Sequence, residues 1–154
     1  MQSNPTIIRK WTELEGMAAI TLDTGKKLGT FDDFYIDPRT ENIPALVIKT
    51  GIFGHRILPI GAITGTGADA ITFSNEEQLV KEGDTPEVAA MLRGRSLLAY
   101  RVMSESGTLI GEISNILLDV ANPSQIKLNG YQLSGGLRER FTGQYRTFGA
   151  SEVL

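Results

Sequence analysis

The chain has 154 residues, 41% hydrophobic and 21% charged, proportions that exclude both a disordered tail and a fibrous protein. It contains no cysteine, which removes disulfide frameworks, thiolate nucleophiles, zinc ribbons and iron–sulfur clusters in one step. A net charge of −3 argues against a protein whose main business is coating nucleic acid, although the charge is uneven: residues 93–154 carry 7 basic and 5 acidic side chains and are the only net-basic third.

From the N-terminus, Met1 to Lys10 holds only Ile7 and Ile8 as large apolar residues and does not read as a secretory signal. No window reaches the roughly 18 apolar residues of a membrane span. The expectation is a soluble, cytoplasmic protein, with peripheral attachment to a membrane-bound complex left open. Trp11, flanked by Arg9 and Lys10 and followed by Thr12-Glu13-Leu14-Glu15, starts a short helix that plugs one end of the fold. A tryptophan near a terminus is also a candidate binding anchor.

Asp23-Thr24-Gly25 before Leu28, then Asp37-Pro38 leading to Ala45-Leu46-Val47-Ile48, reads as strand, turn, strand, loop, strand. Asp32-Asp33 interrupts the apolar alternation between Phe31 and Phe34, which predicts a β-bulge or tight bend. Gly61, Gly65 and Gly67 punctuate the run into Ala70-Ile71-Thr72-Phe73, the predicted last strand of this region. Thr85-Pro86-Glu87-Val88 through Gly94 has a cap residue, proline at the first helical position and glycine past the end, so a short helix is expected there. The acidic Asn75-Glu76-Glu77 run should be exposed.

The chain also repeats itself. Thr24-Gly25-Lys26-Lys27-Leu28-Gly29-Thr30-Phe31 precedes Ser106-Gly107-Thr108-Leu109-Ile110-Gly111-Glu112-Ile113 by 82 residues, and Phe34, Ile36 and Asp37 meet Ile116, Leu118 and Asp119 at the same spacing. Upstream, Leu14-Glu15-Gly16 meets Leu92-Arg93-Gly94 at spacing 78; downstream, Gly51 meets Gly136 at 85 and Ile60-Gly61-Ala62 meets Phe148-Gly149-Ala150 at 88. Ordered matches with growing spacing fit an old duplication with loop insertions. The first copy runs on to Phe73, whereas the second reaches only Ser151-Glu152-Val153-Leu154, short of a last strand of its own.

Leu14-x-Gly16, Gly25-x-x-Leu28-Gly29, Phe34-Tyr35-Ile36-Asp37 and Ala45-Leu46-Val47-Ile48, repeated as Leu92-x-Gly94, Gly107-x-x-Ile110-Gly111 and Ile116-Leu117-Leu118-Asp119, resemble the PRC-barrel pattern. The resemblance implies a mainly β fold of two tandem small antiparallel barrels: repeat 1 over residues 9–73, a linker with a short helix over 74–92, and repeat 2 over 93–154. The family includes the cytoplasmic domain of the photosynthetic reaction-centre H subunit and the C-terminal domain of a ribosome maturation factor. In both, the barrel is a contact surface within a large assembly. The resemblance therefore implies a non-enzymatic scaffold or assembly protein without a cofactor, with photosynthetic or ribosomal machinery as candidate partner classes and self-association also open.

Weighed residue by residue, the chemistry is sparse. Ile20-Thr21-Leu22-Asp23-Thr24-Gly25 matches the apolar-Asp-Thr-Gly signature of aspartic proteases, and Glu105 stands at the duplicate position, so a hydrolase dyad of Asp23 and Glu105 is the enzymatic alternative. A hairpin turn explains the same residues. The Gly61–Gly67 stretch lacks the lysine and helix of a phosphate loop. His55 is the only histidine, which excludes a triad or multi-histidine metal site within the chain and leaves a loop or strand-edge residue. Asp32, Asp33, Asp37 and Glu41 do not have calcium-loop spacing and read as solvated turn residues. Arg138, Arg140 and Arg146 interleave with Phe141, Tyr145 and Phe148; the first five of these, without Phe148, and Trp11 are the candidate partner-binding residues. The same interleaving suits stacking on single-stranded RNA, so an RNA-linked maturation factor is the alternative to a protein partner.

Overall fold

The computed structural model describes residues 6–37, 39–51, 54–134 and 146–149, the last four as a backbone strand. In chain order the strands are β1 (Ile8–Lys10), β2 (Ala18–Thr21), β3 (Lys27–Ile36), β4 (Ala45–Lys49), β5 (His55–Pro59), β6 (Ile63–Thr66), β7 (Ala70–Phe73), β8 (Leu92–Arg93), β9 (Arg101–Met103), β10 (Leu109–Asp119), β11 (Lys127–Ser134) and β12 (Arg146–Gly149). Two one-turn helices accompany them, α1 (Trp11–Leu14) after β1 and α2 (Pro86–Ala89) before β8.

The fold is mainly β, in two sheets. One runs β5-β4-β3-β2-β7-β6 with β8 also on β3; the other runs β1-β10-β11-β12 with β9 also on β10. Neither closes on itself, so the expected barrels are present only as open sheets. The pairing of β2 with β7 is parallel, not antiparallel.

The long strands β3 and β10 are bent by bulges. In β3 the register on β4 shifts between Phe31 and Asp33, where the acidic doublet breaks the alternation. In β10 the register on β11 shifts between Ile113 and Asn115. Nearer their starts, the register slips again, between Ala19 and Ile20 opposite β3 and between Leu109 and Gly111 opposite β9. Glycine is required at both places because the next strand's backbone fills the space of a side chain. A Cβ on Gly29 would lie 2.2 Å from the Lys49 carbonyl oxygen, and one on Gly111 2.9 Å from that of Ser134.

The two shortest pairings cross the middle of the chain. β1 pairs with β10, with Arg9 opposite Leu118 and Lys10 opposite Leu117. β8 pairs with β3, with Arg93 opposite Tyr35 and Leu92 opposite Ile36. The apolar core accordingly runs through both sheets, from Trp11, Phe34 and Phe73 to Ile116, Leu118 and Leu133. At its centre Phe34 meets Trp11 edge to face, ring centroids 5.4 Å apart, and a Cβ on Gly94 would lie 2.4 Å from Phe34 Cζ.

Residues 74–92 are packed rather than extended between sheets. Leu46 and Ile48 of β4 face the main core, while Ala45 and Val47 join Tyr35 and Ile57 in a second cluster covered by Val80, Val88 and Met91. This covering explains why four consecutive apolar residues of β4 are all buried. Ile57 and Val80 exchange backbone hydrogen bonds of 2.8 and 2.9 Å, and Glu76 and Glu77 are exposed as expected. The predicted helix is shorter than its signals suggested. It begins at Pro86 but stops at Ala89, and Thr85 makes no side-chain cap. Leu92-Arg93 is strand and Gly94 opens a 3-10 turn, so Leu92, 39% exposed, does not correspond to Leu14 of α1, 2% exposed.

Candidate partner-binding surface

Of the sequence-predicted contact residues, Arg138, Arg140, Phe141 and Tyr145 lie outside the described residues. Arg146 opens β12, whose backbone pairs it with Leu133, and its side chain is likewise outside the description. Trp11 does start a helix, but it is 1% exposed, wedged against Phe34 and under the Arg95 guanidinium at 5.5 Å. Its two readings separate here, because a buried ring has no face to offer a partner. It is a core plug, not an anchor.

The acidic doublet is not a solvated turn either. Asp33 is fully buried, and its Oδ1 accepts the backbone N–H groups of Phe34 at 2.8 Å and Arg95 at 3.0 Å. Its Oδ2 faces Arg93 Nε at 3.1 Å and Arg95 Nε at 3.9 Å. The Arg93 contact has ion-pair length without hydrogen-bond alignment, so both atoms are buried with no aligned partner. Burial pushes the Asp33 carboxyl above its ordinary value, against the opposing pull of the two N–H groups and the two guanidiniums. Asp32 sits nearer the surface, 3.2 Å from Arg95 Nη2 and 3.1 Å from His55 Nε2. His55 stands at the start of β5, a strand at the end of its sheet, as read from the sequence. The sequence signal missed was complementarity: the Asp32-Asp33 doublet and the Arg93-x-Arg95 pair lie some 60 residues apart and find each other only when β8 crosses to β3.

Asn115 holds the matching place in the other sheet. Its Oδ1 accepts the Ile116 N–H at 3.0 Å and its Nδ2 donates to Thr12 Oγ1 at 2.9 Å. Each long strand thus carries a buried polar side chain just after its bulge, tied to the segment that follows the crossing strand.

The catalytic candidates do not assemble into a built centre. Asp23 and Glu105 are exposed in separate hairpin turns, and Thr21 Oγ1 and Thr24 Oγ1 lie 3.0 Å apart while Gly25 takes φ 67° to complete the first turn. Among the described residues no group of three metal-ligating side chains occurs, and no helix is long and apolar enough to cross a membrane. A shallow depression of about 420 Å³ lies over Asp32, His55, Arg93 and Arg95, and another of about 360 Å³ lies between Asn42–Pro44 and Ser124–Lys127. Both are open and polar-rimmed.

Exposed apolar side chains concentrate elsewhere. Tyr100, Met103 and Leu109 are 50%, 51% and 41% exposed and surround the β9–β10 hairpin, where Met103 and Leu109 are direct cross-strand neighbours.

These features define a class, small bulged β domains with an extended polar and apolar surface. The family is more specific. Residues 8–79 match the family model of the PRC-barrel domain, and this stretch of the chain belongs to the PRC-barrel family. No curated protein matches the chain.

Proposed function

We propose that the protein is a non-enzymatic docking protein built from two PRC-type halves, residues 9–73 and 93–154, joined by 74–92, that together present one surface to a larger protein complex. The observation that carries this reading is the coincidence of irregularities. At spacing 82 the β3 bulge at Phe31/Asp33 falls on the β10 bulge at Ile113/Asn115, and Gly29 falls on Gly111. Regular strands resemble one another by default, whereas matched bulges and matched backbone crowding do not arise without a shared template.

The strand registers extend the match and amend its upstream end. Ile36 pairs with Leu92 and its counterpart Leu118 pairs with Arg9, so the first segments align at spacing 83, not 78. Leu14 then corresponds to Leu97, both buried. The bridge between Asn42 and Lys127 joins two positions 85 apart, the spacing of β4 and β11, so each maps onto the other and an approximate twofold axis passes between them. The halves behave as an internal dimer with their first strands exchanged.

The second half is the docking half in this reading, since it is net basic and carries the exposed Tyr100, Met103 and Leu109. Arg138, Arg140, Phe141, Tyr145 and Arg146 extend the same half and form the remainder of the proposed contact set. Photosynthetic and ribosomal assemblies are the candidate partner classes, met in the cytoplasm or at the rim of a membrane-bound complex. In-cell crosslinking followed by peptide mapping tests this: crosslinks to one complex should start from residues 93–154. Recovery of the protein alone would sink the assembly reading, and retention on RNA that falls steeply with salt would replace the protein partner with RNA.

A further inference from the structure

We propose that the outer edge of β9 is a seat for an extended segment of a partner protein, taken up as a parallel strand; this rests on the duplicated architecture above. In the first half, β2 lies between β3 and β7. In the second, β9 stands at the place of β2 with β10 as its one strand neighbour among the described residues. The correspondence is close: Ala18, Ala19 and Ile20 pair with Thr30, Gly29 and Lys27, and Arg101, Val102 and Met103 pair with Glu112, Gly111 and Leu109.

The first half also shows what such a seat holds. β7 runs parallel to β2 with Ala70 beside Ala18, Ile71 beside Ala19, Thr72 beside Ile20 and Phe73 beside Thr21. Ile71 and Phe73, 2% and 0% exposed, point into the core. Carried over by 83 residues, the incoming segment runs beside Arg101, Val102, Met103 and Ser104, with an apolar residue at its second position and an aromatic or large aliphatic one at its fourth. Main-chain hydrogen bonds supply affinity and the alternate side chains supply selectivity.

Exposure is a second, independent sign that β9 lacks a cover. Met17 is 8% exposed beneath its half's strands, whereas its counterpart Tyr100 is 50% exposed. Ile20 is half-buried and Met103 is 51% exposed. An uncovered strand edge flanked by exposed apolar side chains is a template for pairing.

The probe is a labelled peptide with the sequence of residues 67–75, titrated into the full-length chain and followed by anisotropy and amide hydrogen exchange. Saturable binding is expected, with new protection at Arg101–Met103. Replacing the positions of Ile71 or Phe73 by Asp in the peptide, or Met103→Asp in the chain, should weaken binding at least about tenfold. The exposed site of Met103 leaves the fold intact in that variant, which circular dichroism verifies. Failure of binding while β9 amides exchange freely and β2 amides are protected overturns the proposal and leaves the duplication standing. Protection of β9 before peptide is added means that the chain covers its own edge, and a dimer that Met103→Asp converts to monomer means that a second copy occupies it; either result overturns the proposal. Exchange at β2 as fast as at β9 removes the template itself and with it the duplicated architecture.

Discussion

Asp33 is the position where a single atom-scale change tests the packing between halves. In Asp33→Ala the N–H groups of Phe34 and Arg95 lose their acceptor, and Arg93 is left facing an apolar stub. Removing one member of a buried ion pair costs about 3–5 kcal/mol, a large share of the roughly 5–15 kcal/mol that holds a domain together. Asp33→Asn keeps Oδ1 and both backbone bonds, as Asn115 does for Ile116, and should cost only about 1–2 kcal/mol. Charge decides the pH dependence. Burial raises the folded carboxyl above its ordinary value of 3.8, so the folded state holds the proton more tightly than the unfolded chain. Stability attributable to this group is therefore greatest below the unfolded value and falls as pH rises through the folded one. The difference between wild type and Asp33→Asn isolates that trend from the neighbouring Asp32, His55, Arg93 and Arg95. Urea denaturation at several pH values, read by fluorescence of the sole tryptophan Trp11, measures both quantities. An Asp33→Ala cost below about 1 kcal/mol, or a wild-type advantage over Asp33→Asn that grows with pH above 4, would refute this account of the site.

Gly94→Ala should destabilise by about 1–3 kcal/mol in the same assay, because the new methyl overlaps the Phe34 ring. Trp11→Ala should cost about 3–5 kcal/mol by opening a cavity beside Phe34; since it removes the fluorophore, circular dichroism is the readout. Tyr100→Ser and Met103→Ser should each stay within about 0.5 kcal/mol of wild type, as expected of exposed side chains. Deleting residues 1–10 should speed amide exchange at Leu117–Asp119 while leaving Tyr35 and Ile36, paired with β8, unchanged.

What was legible in the sequence was local. Asp32-Asp33 broke a period-2 pattern and marked a bulge, Asp23-Thr24-Gly25 marked a turn, and Ala70–Phe73 alternated as strands do. The exchange of β1 and β8 was not legible, because strands of three and two residues carry no periodicity and their partners lie more than 50 residues away. Matching Leu-x-Gly by letter aligned Leu14 with Leu92, whereas burial and register align it with Leu97. Asp33 read as a solvated turn residue because its compensating arginines are remote in sequence. Trp11 read as either plug or anchor, and only the position of Phe34 decided between them. The apolar run of β4 was visible, but not that residues 80–91 form the second cover it requires.

The exchange of first segments is itself written in the charges. Suppose each half kept its own first strand. Thr12 would then come to Asp33, and Arg95 to Asn115, by the same correspondence that aligns Leu14 with Leu97. Asp33 would be buried as a carboxylate with a hydroxyl beside it in place of two guanidiniums, and Arg95 would approach an amide that neutralises nothing. Both errors leave charge uncompensated in or near the core, where an unpaired ion costs several kcal/mol. The observed arrangement instead sends the cations to the acid, with Arg93 Nε at 3.1 Å, and the hydroxyl to the amide, with Thr12 Oγ1 at 2.9 Å. A symmetric ancestor with the same residue at both places could not tell own strand from exchanged strand by charge. Divergence of one position into Asp33 and the other into Asn115 supplies that distinction, and it fixes which half faces which. A docking surface that spans both halves depends on that fixed relation, because its parts keep their spacing only while the crossing strands stay in place.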